Sequence, residues 1–104
     1  MGGNHPEKYY QKAVAIALTE RGLSFIEQYY VPVTMHGKPV GRYYLDFLIE
    51  DCVILELKRG KYVPKMVFHQ TKKYLSALDL ELALVACFAT DCVIIKRILN
   101  LKNP

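Results

Sequence analysis

Apolar positions recur along the chain with two different periods, and the switches between them divide it into elements. After His5-Pro6-Glu7, where a proline and an acid stand as in a first helical turn, Tyr10, Ala13, Val14, Ala17 and Leu18 repeat at helical spacing. Gly22 is a natural stop, so the pattern predicts a helix over 6–21. Phe25 to Met35 is rich in aromatic and β-branched residues and reads as a strand, with Pro32 pointing to an edge position or a bulge. His36-Gly37-Lys38-Pro39-Val40-Gly41 reads as a loop. Arg42 to Ile49 and Val53 to Lys58 read as two more strands; with only Glu50-Asp51-Cys52 between them they should form a hairpin. Arg59 to Pro64 is a basic, glycine-containing loop. Lys65 to Leu78 predicts a second helix, with Met66, His69, Gln70, Lys73, Tyr74 and Ala77 along one side. Leu82 to Phe88 and Val93 to Ile98 are short apolar runs of strand type joined by Ala89-Thr90-Asp91, and 100–104 is a polar tail.

The order is therefore αβββαββ. The first three strands should form an antiparallel meander, and the fourth, reached through a helix, can join in parallel. The chain is predicted to be α/β, a mixed sheet flanked by helices, in a single domain with its core over 6–99.

Composition narrows the function classes. The 104 residues are 52% apolar, enough for one buried core and too many for a disordered chain. Fourteen Lys and Arg against ten Asp and Glu give +4, which permits a polyanionic partner without requiring one. No window approaches the ~18 apolar residues of a membrane span, and the polar opening Met1-Gly2-Gly3-Asn4 is no signal peptide. Cys52, Cys87 and Cys92 are odd in number and lie in apolar runs, which fits an intracellular location better than a disulfide scaffold. They lack the CxxC spacing of a zinc site, and no phosphate-binding glycine loop calls for a nucleotide cofactor.

The most informative stretch runs from Tyr43 to Lys58. Leu45, Phe47 and Ile49 alternate onto one face of the first arm, and Val53, Leu55 and Leu57 onto one face of the second. A three-residue connection pairs Ile49 with Val53, Phe47 with Leu55 and Leu45 with Leu57, giving one all-apolar face; a two-residue turn would scatter these side chains over both faces. In the selected register Asp46 lies directly opposite Glu56, on the face that also receives Tyr44, Leu48, Ile54 and Lys58. Two opposed carboxylates repel, and on a partly covered face they should not both ionise unless a cation joins them. Lys58 offers one positive charge and a divalent metal offers two. A solvated Asp/Glu/Lys cluster is the plain alternative.

At these residues the sequence resembles the PD-(D/E)XK nuclease superfamily, whose restriction-endonuclease-like core carries D…(D/E)-x-K on neighbouring strands, here Asp46 and Glu56-Leu57-Lys58. Within it the chain is most similar to the GxxExxY family. The likeness rests on Glu7-Lys8-Tyr9-Tyr10, Gly37-Lys38, Asp46-Phe47, Glu56-Leu57-Lys58 and the run from Gln70 to Tyr74-Leu75, and covers roughly residues 7–99. The naming glycine of that family would fall at Asn4, with Gly3 one place early, and the segment that usually precedes the E-x-x-Y helix is absent before Glu7.

The resemblance implies a nuclease acting on DNA. Asp46 and Glu56, with the backbone carbonyl of Leu57, would hold Mg²⁺ or Mn²⁺, and Lys58 would stabilise developing phosphorane charge or orient the attacking water. Glu7 and Gln70 complete the implied catalytic set, and Tyr74, one turn beyond Gln70, would support it or touch nucleic acid. His69 lies about 100° round the helix from Gln70 and is the weaker candidate for a base. Lys38, Arg42, Arg59, Lys61, Lys65, Lys72 and Lys73 are the candidate phosphate contacts, with Arg59 and Lys61 best placed because they directly follow Lys58. Adjacent tyrosines at Tyr29-Tyr30 and Tyr43-Tyr44 should send one ring inward and one outward, and exposed rings would suit bases or a homodimer contact. The rival reading is an inactive nucleic-acid-binding or protein-interaction module on the same fold.

Overall fold

In the computed structural model, residues 6–100 are described, without the side chains of Pro6 and Glu7. The elements are α1 (Pro6–Glu20), β1 (Phe25–Met35), β2 (Lys38–Ile49), β3 (Val53–Arg59), α2 (Lys65–Leu78), β4 (Leu82–Phe88) and β5 (Val93–Leu99). They form one five-stranded sheet in the order β1-β2-β3-β4-β5. β1, β2 and β3 run antiparallel, β3 and β4 are parallel across the α2 crossover, and β5 returns antiparallel. The mixed sheet expected from the sequence is therefore present.

The loop expected over 36–41 is shorter than that. Only His36 and Gly37 turn, both at positive φ, and Lys38 already pairs with Met35. Lys38, Pro39 and Gly41 are weak strand formers, but a two-residue turn with left-handed backbone matches the strand twist and carries the ladder straight through them. Pro32 lies on the edge strand β1, where a missing N–H costs no central hydrogen bond, and a bulge follows at Val33/Thr34.

Two cores form, one on each side of the sheet. On one side α1 contributes Tyr10, Val14 and Leu18 to a cluster around Phe47, Leu55, Leu57 and Ala86. On the other, Tyr74 and Leu75 of α2 pack on Leu45, Leu48, Ile54 and Val85. Leu45 is thus on the α2 side, not with Phe47 as simple alternation requires, while Tyr44 is left exposed against the ring of Tyr30 at 5.5 Å. The exchange has a local cause. Opposite Asp46, Gln28 on β1 adopts a left-handed backbone, φ 51°, and drops out of the β1–β2 pairing without a change of register. The inward and outward sides swap at that point along both strands. Tyr29 and Tyr43 then point into the α2-side core and Tyr30 and Tyr44 to solvent, so each pair does split inward and outward.

Candidate active site

The turn between β2 and β3 sets the register. Cys52 N–H donates to Ile49 O at 3.0 Å across Glu50 and Asp51, both at positive φ. That conformation is unfavourable for residues with a Cβ. It is offset by Glu50, whose carboxylate accepts the backbone N–H of Ser24 at 2.6 Å and its hydroxyl at 2.5 Å. The ladder then pairs Ile49 with Val53, Leu48 with Ile54 and Phe47 with Leu55, as the hydrophobic pattern predicts.

Beyond Phe47 that pairing stops. Where Asp46 and Glu56 face each other, side chains replace the backbone ladder. Asp46 N–H donates to Glu56 Oε1 at 3.0 Å, and Leu57 N–H donates to Asp46 Oδ2 at 2.7 Å. Each strand's carboxylate caps the other strand's backbone, so the two acids are fixed by the point at which β2 and β3 part. The sequence pattern predicts the opposition but not this exchange of partners.

Glu56 is buried, 8% exposed, on the α2 side, and its pKa is pushed up to about 7. Loss of hydration is the larger cause and the charge of Asp46 the next; the bond from Asp46 N–H and the charge of Lys58 act in the opposite sense. The adjacent Tyr74 hydroxyl is pushed up to about 12 by burial, then by Glu56 and Tyr43, whose ring lies 5.4 Å from its own. Lys58 follows two residues after Glu56 and is half-buried. With both carboxylates ionised, the pair would carry more negative charge than Lys58 balances.

The other expected residues divide into groups. Gln70 is half-buried on α2 and shares the wall of a cavity of about 880 Å³ with Tyr74 and Lys73. Arg59 and Lys61 are exposed at the end of β3 and line a second cavity of about 700 Å³ with Tyr10 and Phe88, whose rings stack at 4.1 Å. Lys38, Arg42, Lys65, Lys72 and Lys73 are exposed. Tyr74 packs in the α2-side core beside Glu56 and also lines the wall of the first cavity. His69 is exposed and sits edge-on to Phe68. The role expected of Glu7 lies outside the described residues, as do Gly3 and Asn4. Among the described residues no three of His, Cys, Asp and Glu gather as a metal cluster; Asp46 and Glu56 stand together as a pair. Sequence reasoning missed Gln28, whose positive φ has no signature in its residue type.

Residues 1–98 match the family model of the PD-(D/E)XK nuclease superfamily. The chain belongs to that superfamily. Members generally use divalent metals, and two hard carboxylate ligands, one of them buried and reluctant to ionise without a cation, suit such an ion. Two solved structures share the superfamily chain's fold. SSO0001 superposes with a TM-score of 0.69 at 14% identity, covering 93% of this chain and 51% of that one. The alkaline exonuclease LHK-Exo from Laribacter hongkongensis gives 0.55 at 13% identity, covering 90% of this chain and 56% of the other. The chain spans about half the length of each. Among curated proteins nothing matches. No helix among the described residues is long and apolar enough to cross a membrane.

Proposed function

We propose that this chain is a nuclease domain of the GxxExxY type, hydrolysing DNA phosphodiester bonds with Mg²⁺ or Mn²⁺ held by Asp46, Glu56 and the carbonyl of Leu57. The observation that carries the reading is the crossed pair of bonds that fixes Asp46 and buried Glu56 against each other beside Lys58. When bound, such a cation polarises a phosphodiester and eases deprotonation of water. The chain's own residues do the rest. Asp46 and Glu56 are held in place by each other's strands, so little reorganisation is needed to bring in the ion. Lys58 brings positive charge to where charge develops on phosphorus oxygens. Gln70, with amide donors and an acceptor, orients the phosphate or the attacking water. The exposed lysines and arginines supply salt-sensitive attraction to the backbone. The three thiols are free, which fits the intracellular location proposed from the sequence. A homodimer would present two such sites, one for each strand of a duplex.

One observation favours the inactive module instead: each carboxylate already accepts a backbone N–H. A carboxylate has about four acceptor positions, so one such bond does not fill it. The test is cleavage of labelled single-stranded DNA, duplex DNA and RNA with Mg²⁺, Mn²⁺ or EDTA. The nuclease reading requires metal-dependent cleavage of DNA that Glu56→Ala and Lys58→Ala abolish. Binding of DNA with equal affinity in wild type and Glu56→Ala, without cleavage in either metal, would instead establish the inactive module.

A further inference from the structure

We infer that the groove between α2 and the outer half of the β1–β2 hairpin seats a single strand of DNA and leads it to the carboxylate pair. The inference rests on the nuclease reading above and names the form of its substrate. β2 pairs with β3 only from Phe47 to Ile49, so Lys38 to Asp46 runs on with β1 as its one neighbour in the sheet. This overhang faces α2 across the cavity of about 880 Å³. Val33, Met35 and Val40 form the hairpin wall, and Gln70, Lys73 and Tyr74 the helix wall. Met35 is 60% and Val40 54% exposed, apolar side chains held in water across from a cation. The groove runs toward the site: Tyr43, which lines it, stands three residues before Asp46 on β2, and its ring lies 5.4 Å from that of Tyr74 on the facing helix.

An apolar wall facing a cationic one matches a single strand, whose unpaired bases offer flat apolar faces while its backbone stays anionic. A duplex buries those base faces in its own stack and presents phosphates to a protein's surface, so Met35 and Val40 would gain nothing from it. The volume also falls in the ~300–1,000 Å³ range of sites that enclose small organic groups. Lys72 shares the groove, but its ammonium lies over the Phe68 ring at 5.4 Å, which leaves Lys73 as the better phosphate ligand.

The test is fluorescence anisotropy in EDTA, where nothing is cut, with labelled oligothymidylate and with a blunt-ended duplex of the same length. The expected result is single-strand binding about tenfold tighter than duplex binding, the size of one or two stacked bases. Val40→Asp should weaken the single-strand arm about tenfold, and Lys73→Ala should lower the slope of its log affinity against log salt by about 0.7. Thermal midpoints near wild type confirm that both variants fold. If single-strand affinity is the same in Val40→Asp, Lys73→Ala and wild type, or if duplex binds as tightly as single strand, the groove assignment is overturned. In that event Glu56-dependent cleavage of either DNA form leaves the nuclease reading standing. If neither DNA form is bound or cut, both readings fall together.

Discussion

Two glutamates six residues apart on one hairpin have opposite fates. Glu50 sits in the turn, exposed, with the N–H and hydroxyl of Ser24 on its carboxylate, and its pKa is lowered. Glu56 sits where the strands part, buried beside Asp46, and its pKa is raised to about 7. Both accept a backbone N–H, but only Glu50 also accepts a hydroxyl, and only Glu56 is buried beside a like charge. The first carboxylate is satisfied by its own fold and serves the turn. The second is arranged at a cost to the fold, and a cation would offset that cost. This difference is the physical ground for the proposal that the chemistry is at Asp46 and Glu56 and not at Glu50.

The comparison breaks most visibly in activity. Glu56→Ala or Asp46→Ala should reduce metal-dependent DNA cleavage on the order of 10²–10³-fold, the scale lost with a principal transition-state contact. Glu50→Ala should leave the rate close to wild type once folded protein is compared. Equal losses at the two glutamates in a gel-based cleavage assay would show that the site does not distinguish them.

The next effect is on stability against pH. The folded-state pKa of Glu56, about 7, lies above the ordinary value of 4.5, so the folded chain keeps a proton that the unfolded chain releases. The stabilisation is therefore full below about pH 4.5 and is lost as pH rises through about 7. The loss amounts to something on the order of 3 kcal/mol. Urea titrations without metal should show wild type weakening over that window and Glu56→Gln holding level. A wild type whose Glu56-dependent stability rises through the same window would reverse the assignment of burial as the dominant cause.

The smallest effect concerns the turn. Ser24→Ala removes the hydroxyl that Glu50 accepts, so it should lower stability slightly at neutral pH. The sign is opposite to that at Glu56: a lowered pKa gives stability above the ordinary carboxylate value, lost as pH falls through the folded one. The difference between Ser24→Ala and wild type should therefore vanish in acid. A difference that persists there would mean that Ser24 acts through packing.

Much of this was legible in the chain. Alternation along Phe47, Ile49, Val53 and Leu55 selected the turn length and so brought Asp46 against Glu56, although the expected Leu45–Leu57 pair does not form, those two side chains lying on opposite sides of the sheet. The ends of the first helix were readable from Pro6 and Gly22, residues whose backbone preferences act locally. Three features were not readable. The strand pairing through Lys38 and Pro39 depends on the partner strand β1, not on those residues' own preferences. The placement of Leu45 and Tyr44 depends on Gln28, which is distant in sequence and opposite Asp46 in space. The crossed carboxylate–amide bonds require knowing where β2 and β3 separate, which is a property of the sheet as a whole. In each case a neighbour outside the local window decided the outcome.

The most direct test of the central claim is the thermal midpoint at about pH 8 with and without millimolar Mg²⁺ or Mn²⁺, for wild type and Glu56→Ala. Carboxylate ligands must be ionised to take a metal, so alkaline conditions favour the site. At one hundred times the dissociation constant a ligand stabilises by about 2.7 kcal/mol, which in a domain this small raises the midpoint by roughly 10 °C or more. The account predicts that rise in wild type and its absence in Glu56→Ala. No rise in either protein, or the same rise in both, would contradict the assignment of Asp46 and Glu56 as a metal site.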